Sequence, residues 1–164
     1  MLLDLKKVFL NQDEKINVTY NLDLSNVEID DIKPMPQPVE VCALAENRAG
    51  VVKLTINVKF EYVRPCDRCA TVTTNLLDYT FKHTLVVSLS GESNDDFIEI
   101  PDYKLDLDML INSDVLLELP LKYLCKDDCK GLCFKCGINK NEEECECQTK
   151  VIDPRLEVLK ELLN

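Results

Sequence analysis

Six of the nine cysteines lie between Cys125 and Cys147, and two more stand far upstream in Cys66-Asp67-Arg68-Cys69. Eight cysteines in short clustered spacings suit two four-thiolate zinc sites. Zinc takes four ligands at tetrahedral corners, and Cys-x2-Cys places two sulfurs on one side of a tight turn. Cys133-Phe134-Lys135-Cys136-Gly137 has the form of such a knuckle. Gly137 can take the positive φ that turns backbone N–H groups toward sulfur, and Gly131 offers the same freedom just upstream.

The pairing is less constrained than the metal. Cys133, Cys136, Cys145 and Cys147 can close a local site, leaving Cys66, Cys69, Cys125 and Cys129 for a second site that ties distant segments together. The rival arrangement puts the cysteines from Cys125 to Cys136 on one metal. Other chemistries compete. Disulfides suit small domains in oxidising compartments, but the opening Met1-Leu2-Leu3-Asp4-Leu5-Lys6-Lys7 is too short and too charged for a secretory signal. A redox Cys-x2-Cys would need a thioredoxin-like βαβ context that the pattern lacks. Cys129-x3-Cys133-x2-Cys136 also has radical-SAM spacing, but the chain has neither the length nor the βα alternation for that barrel. An iron–sulfur centre stays open as the alternative metal group. The ninth cysteine, Cys42, sits among Val39, Val41, Ala43 and Leu44 and is expected to be a small buried hydrophobe.

The 164 residues fit one domain or one domain with a metal-stapled appendage. No apolar run approaches a membrane span, so no membrane association is expected. A cytoplasmic protein with reduced thiols follows. The formal net charge is −11, and each four-thiolate zinc site would add about −2. Such a chain is a poor general binder of phosphate backbones and suits basic partners, ribosomal proteins among them. Arg68, Lys126, Lys130 and Lys135 stand beside the sulfurs and offset their charge locally, or are solvated surface cations.

Strict alternation predicts a half-buried strand over 15–24, with Ile16, Val18, Tyr20, Leu22 and Leu24 in phase. Asp30–Pro38 reads as a loop, 39–46 as a strand and Asn47-Arg48-Ala49-Gly50 as a turn. Val52, Leu54, Ile56, Val58, Phe60 and Tyr62 mark the clearest strand. It runs into the Cys66–Cys69 knuckle, and Leu77, Tyr79, Phe81, His83, Leu85 and Val87 alternate beyond it, so the knuckle caps a hairpin. His83, the sole histidine, reads as a core or rim residue with a satisfied hydrogen bond, or as a spare zinc ligand. An acidic loop and a short strand occupy 91–102. A helix runs on to Pro120, its acids Asp102, Asp106, Asp108, Asp114 and Glu118 expected on one solvated face. Asp153-Pro154-Arg155 starts a C-terminal helix, with Leu156, Leu159, Leu162 and Leu163 on one face.

The resulting fold class is α+β: an antiparallel β-rich sheet or partial barrel with one central helix, a Cys-rich zinc-binding region and a C-terminal helix. Residues 1–120 form the β-rich domain with the helix. Residues 121–164 hold the Cys-rich region and the C-terminal helix, packed on the same domain. There is no glycine-rich phosphate loop, no Ser/His/Asp set and no basic aromatic-interleaved stripe. A non-enzymatic protein without a small-molecule substrate is therefore expected.

Cys66-Asp67-Arg68-Cys69, the helix ending Leu119-Pro120, Cys129-Lys130-Gly131-Leu132-Cys133, Cys136-Gly137-Ile138-Asn139-Lys140-Asn141 and Asp153-Pro154-Arg155-Leu156 together resemble the YceD family. The resemblance covers about residues 60–163, with Phe134 where many relatives carry proline and Lys140 where they often carry leucine. It implies a role in accumulation of large-subunit ribosomal RNA in bacteria and plastids. The partner expected is a basic ribosomal protein or precursor large ribosomal subunit. The alternative is direct contact of the knuckle with structured rRNA through Arg68, Lys130 or Lys135. An RNA-processing or thiol-redox enzyme is a third reading without a catalytic constellation behind it.

Overall fold

The computed structural model describes residues 1–88 and 97–147. The helix expected over 153–163 lies outside the described residues. The chain divides into two compact units. The first comprises Met1–Arg64 and Thr74–Leu121; the second comprises Pro65–Thr73 and the chain from Lys122 onward.

The first unit is β-rich. Its main sheet has the strands β2 (Lys15–Leu22), β3 (Val39–Arg48), β4 (Val51–Pro65), β5 (Val72–Val86) and β6 (Phe97–Glu99), in that spatial order. β2 pairs antiparallel with β3, and β3 with β4, while β6 lies parallel to β5 with Thr84 opposite Phe97. A second, two-stranded sheet joins β1 (Leu2–Asp4) to β7 (Lys104–Asp106). The helices are α1 (Lys6–Leu10) and α2 (Leu107–Glu118).

Period-two burial made these strands readable. On β4, Val52, Leu54, Ile56, Val58, Phe60 and Tyr62 are all buried while their neighbours face outward. β3 supplies Val39, Val41, Ala43 and Ala45 to the same core. A two-residue turn with Ala49 at φ 53° and Gly50 at φ 84° joins β3 to β4, a left-handed pair whose twist suits a tight hairpin. Asp30 and Asp31 turn the same way, at φ 51° and 61°, between the bridged pair Ile29 and Ile32.

Helix α2 buries Leu107, Ile111 and Val115, one residue per turn. Asp106 caps it by accepting the Met109 N–H at 3.3 Å. The helix stops before Leu119-Pro120 because a residue preceding proline is pushed out of the helical region. Its acids do not form one solvated face, as the leucine alternation suggested. Asp108 accepts the Tyr20 hydroxyl at 2.7 Å, and Asp114 lies 2.7 Å from His83 Nε2. These two acids tie the helix to β2 and β5, and the His83 contact is the satisfied bond expected of a rim histidine.

The position of Cys42 corrects the expectation of burial. Alternation along β3 sends the odd positions inward and Cys42 to the opposite face, where it is only half-buried. Its sulfur lies 3.7 Å from both Thr19 Oγ1 and Asn17 Oδ1. Apolar sequence neighbours misled the reading, because in a strand adjacent residues point to opposite faces.

Asn47 is the buried polar residue of this core, 3% exposed. Its Nδ2 donates to Val8 O at 2.8 Å and its Oδ1 accepts the Gly50 N–H at 3.0 Å, so one amide joins α1 to the hairpin turn. Replacing it strands both partners. Asn47→Ala is expected to cost about 2 kcal/mol, read as a lower urea midpoint at unchanged denaturant slope.

Candidate metal centres

The second unit gathers the cysteines. The Sγ atoms of Cys66, Cys69, Cys125 and Cys129 all lie within 4.8 Å of one another, and so do those of Cys133, Cys136, Cys145 and Cys147. This is the arrangement of one long-range and one local site, not the rival that groups Cys125 to Cys136. All nine cysteines are free thiols.

The spacing fits a tetrahedral ion. With zinc–sulfur bonds of about 2.3 Å, sulfurs at tetrahedral corners stand about 3.8 Å apart. Cys66 and Cys129 are 3.8 Å apart and Cys69 and Cys125 are 3.5 Å apart, far beyond a disulfide bond. These pairs come from positions 63 and 56 residues apart in the chain. An all-sulfur donor set is the kind that zinc or an iron–sulfur group takes up.

The upstream knuckle is shaped by its backbone. Cys66 N–H donates to Thr71 O at 2.9 Å, and Ala70 N–H returns to Cys66 O at 2.9 Å, with Ala70 in the left-handed region at φ 58°. The Arg68 N–H points at Cys66 Sγ from 3.5 Å, and Thr71 Oγ1 lies 3.3 Å from Cys69 Sγ. Asp67 and Tyr123 clamp this turn to the segment entering Cys125. Asp67 N–H donates to Tyr123 O at 2.9 Å, and Tyr123 N–H to Asp67 Oδ2 at 2.7 Å. The Tyr123 hydroxyl then donates to Thr73 O at 3.1 Å. Cys66, Cys69 and Cys129 are buried together, with Leu124 packed against them.

The downstream knuckle repeats the geometry. Cys133 N–H donates to Ile138 O at 2.8 Å, and Gly137 N–H to Cys133 O at 2.9 Å, with Gly137 at φ 76°. Gly131 has a separate task. A Cβ there would meet Arg68 O at 3.0 Å, and the neighbouring Leu132 N–H donates to that same oxygen at 3.0 Å. Only glycine lets the two knuckle segments approach so closely.

The thiols titrate as crowded groups do. Burial pushes Cys66 up, but the N–H groups of Arg68, Cys125 and Cys69 pull it down further, to about 6. The Thr71 hydroxyl and N–H lower Cys69. Burial and then the neighbouring sulfurs Cys69, Cys129 and Cys66 push Cys125 up to about 12. In the second group the N–H groups of Cys136 and Lys135 bring Cys133 to about 6. Its bond to Cys133 raises Cys145, and the bond to Cys136 followed by burial pushes Cys147 up to about 11. In the first group Cys66 and Cys69 are drawn toward the anion while Cys125 is pushed away from it, and in the second Cys133 is drawn toward it while Cys145 and Cys147 are pushed away, a conflict that a bound cation would relieve.

Two asparagines, present in the motif but given no role by it, connect the groups. Asn141 Nδ2 lies 3.3 Å from Cys129 Sγ and 2.8 Å from Asn139 Oδ1, while Asn141 Oδ1 accepts the Lys130 N–H at 2.9 Å. Asn139 Nδ2 reaches Glu142 Oε1 at 2.7 Å and Thr71 Oγ1 at 3.4 Å. Thr71 in turn touches Cys69. The loop between Cys136 and Cys145 therefore contacts one sulfur of the other group directly and a second through Thr71. The sequence signal was the side-chain type: a primary amide offers both a donor and an acceptor, as a link between a sulfur and a backbone N–H requires. Arg68 contributes structurally as well, its Nη1 donating to Cys129 O at 2.8 Å.

With the geometry in place, comparison with known proteins is informative. The model of the family described as Large ribosomal RNA subunit accumulation protein YceD matches residues 54–163. The chloroplastic Large ribosomal RNA subunit accumulation protein YCED homolog 1 of Arabidopsis thaliana is 40% identical over 48 residues, 29% of this chain and 15% of that protein. The uncharacterized protein YlbN of Bacillus subtilis (strain 168) is 24% identical over 128 residues, 77% of this chain and 74% of the relative. No solved structure matches.

Replacing Cys145 and Cys147 together by serine is expected to halve the bound metal, counted by elemental analysis, and to leave the group at Cys66 loaded. Asn141→Ala is expected to weaken metal retention at that group by about tenfold, within the range for lost outer contacts, measured by competition with a chromophoric chelator.

Proposed function

The chain belongs to the YceD family, and from that premise we propose that it is a non-enzymatic, zinc-stapled factor supporting accumulation of large-subunit ribosomal RNA. The observation that carries the metal part is the gathering of eight sulfurs into two four-membered groups, each within 4.8 Å. In this reading Cys66, Cys69, Cys125 and Cys129 hold one zinc ion, and Cys133, Cys136, Cys145 and Cys147 hold the other. Each ion supplies fixed geometry rather than reactivity, because four protein thiolates leave no open coordination position.

The process comes from the family description. The immediate contact is a precursor large ribosomal subunit, and the net charge of −11 favours its basic protein components over bare phosphate. No helix among the described residues is long and apolar enough to cross a membrane. The thiolate sites require a reducing compartment such as the cytoplasm.

A second mode, direct contact with rRNA, is favoured by a local observation: Arg68, Lys130 and Lys135 are all exposed on the cysteine-bearing unit. Salt dependence separates the two modes, since phosphate contacts release counterions.

Deleting the gene is expected to lower mature large-subunit RNA relative to small-subunit RNA. An unchanged ratio would remove the proposed role. Freshly isolated reduced protein is expected to carry two zinc ions per chain and to lose folded structure in the second unit when a chelator strips them. Visible absorbance from sulfur-bound iron would replace zinc with a cluster.

A further inference from the structure

Phe134 stands inside the Cys133–Cys136 knuckle, yet its side chain is 99% exposed. Its backbone is held at a fixed place by the Cys133-to-Ile138 and Gly137-to-Cys133 hydrogen bonds of the turn. Leu132, two residues earlier, is 37% exposed, and among the described residues nothing covers the ring. Lys140 Nζ lies 5.9 Å from the ring centroid, within reach of a cation–π contact. Lys135 is the next residue and is exposed. A cavity of about 500 Å³ bordered by Arg68, Lys130, Leu132 and Phe134 opens beside the ring. The acid in its wall, Asp67, already accepts the Tyr123 N–H.

Arg68 and Lys130 border the cavity beside the ring and Lys140 reaches over it, while Glu143 and Glu144 line a neighbouring cavity with Lys130 and Lys140. The lysines suit phosphate and the exposed ring suits a flat apolar surface, a pairing that a nucleotide carries. We propose that this face binds single-stranded or looped RNA, with one unstacked base on the Phe134 ring and the flanking phosphates on Lys130, Lys135 and Lys140. This rests on the rRNA reading above and adds the residues and the form of RNA. Paired bases hide their π-faces inside the stack, so the duplex is excluded from the ring. Every base has such a face, so the site is tolerant of sequence.

The test uses zinc-loaded full-length protein and three probes: a labelled mixed-sequence single-stranded RNA, the same strand in a duplex, and oligolysine. The single strand is expected to bind more tightly than the duplex. Phe134→Ala is expected to weaken single-strand binding by about tenfold, and Phe134→Tyr to retain it. Lys135→Gln is expected to reduce the slope of log affinity against log salt by about 0.7. An exposed side chain can be removed without unfolding, so metal content and the unfolding midpoint of Phe134→Ala serve as controls. Equal single-strand affinity in wild type and Phe134→Ala overturns the proposal, as does binding of oligolysine alone. In cells, reduced large-subunit RNA on gene deletion beside normal RNA in a Phe134→Ala strain would overturn this contact while the accumulation role stood.

Discussion

Four sulfur atoms crowded within 4.8 Å are the constraint on which the second unit depends. Thiols at that spacing cannot all ionise, and thiols that stay protonated are weak partners for the N–H groups aimed at them. A divalent cation would resolve the conflict by making every sulfur an acceptor and a ligand together. The buried cluster of this unit is Cys66, Cys69 and Cys129 with Leu124 and Cys125 against it. So small a cluster of described residues offers little apolar burial, the situation in which small units use structural metals.

The first unit is stabilised differently. Its two central strands alternate cleanly, and apart from Asn47 the buried residues of β3 and β4 are aliphatic or aromatic on one face. Several polar residues enter it with partners: Asn47 holds a carbonyl and an N–H, and Asp108 and Asp114 hold Tyr20 and His83. The bonds from Asn47 to Val8, from Tyr20 to Asp108 and between His83 and Asp114 each span more than thirty positions and link a helix to a strand, so they orient elements that hydrophobic burial, being non-directional, would leave free to slide.

How much could be read in advance follows from the range of each interaction. The strand at Val52–Tyr62 was legible because its periodicity is local. The helix before Pro120 was legible for the same reason. Cysteine spacing revealed the knuckles, but which cysteines gather in one group depends on a meeting across more than fifty residues. β1 and α1 escaped notice because three- and five-residue elements carry too few periods to register, and β1 exists by pairing with β7 near the other end of its unit. The parallel docking of β6 on β5 is likewise a tertiary fact. Cys42 misled because linear neighbours were read as spatial ones, and the acids of α2 because a charge run was read as solvation when two of its members had distant partners. Asn139 and Asn141 were visible as letters of a motif, but an amide declares its task only once its two ends are seen.

The amide bridge of Asn141 also bears on the order in which a newly made chain can mature. Cys133 to Cys147 is a short contiguous span, able to close as soon as it emerges, whereas Cys66 and Cys69 must wait for Cys125 and Cys129 to be synthesised and brought back. Because Asn141 and Asn139 sit in the span that closes by itself, the late partner arrives at a surface whose polar contacts to Cys129 and Thr71 are already in position. Were both groups to hold ions, scarcity of the ion would be felt first at the long-range junction, whose closure spans more than fifty residues.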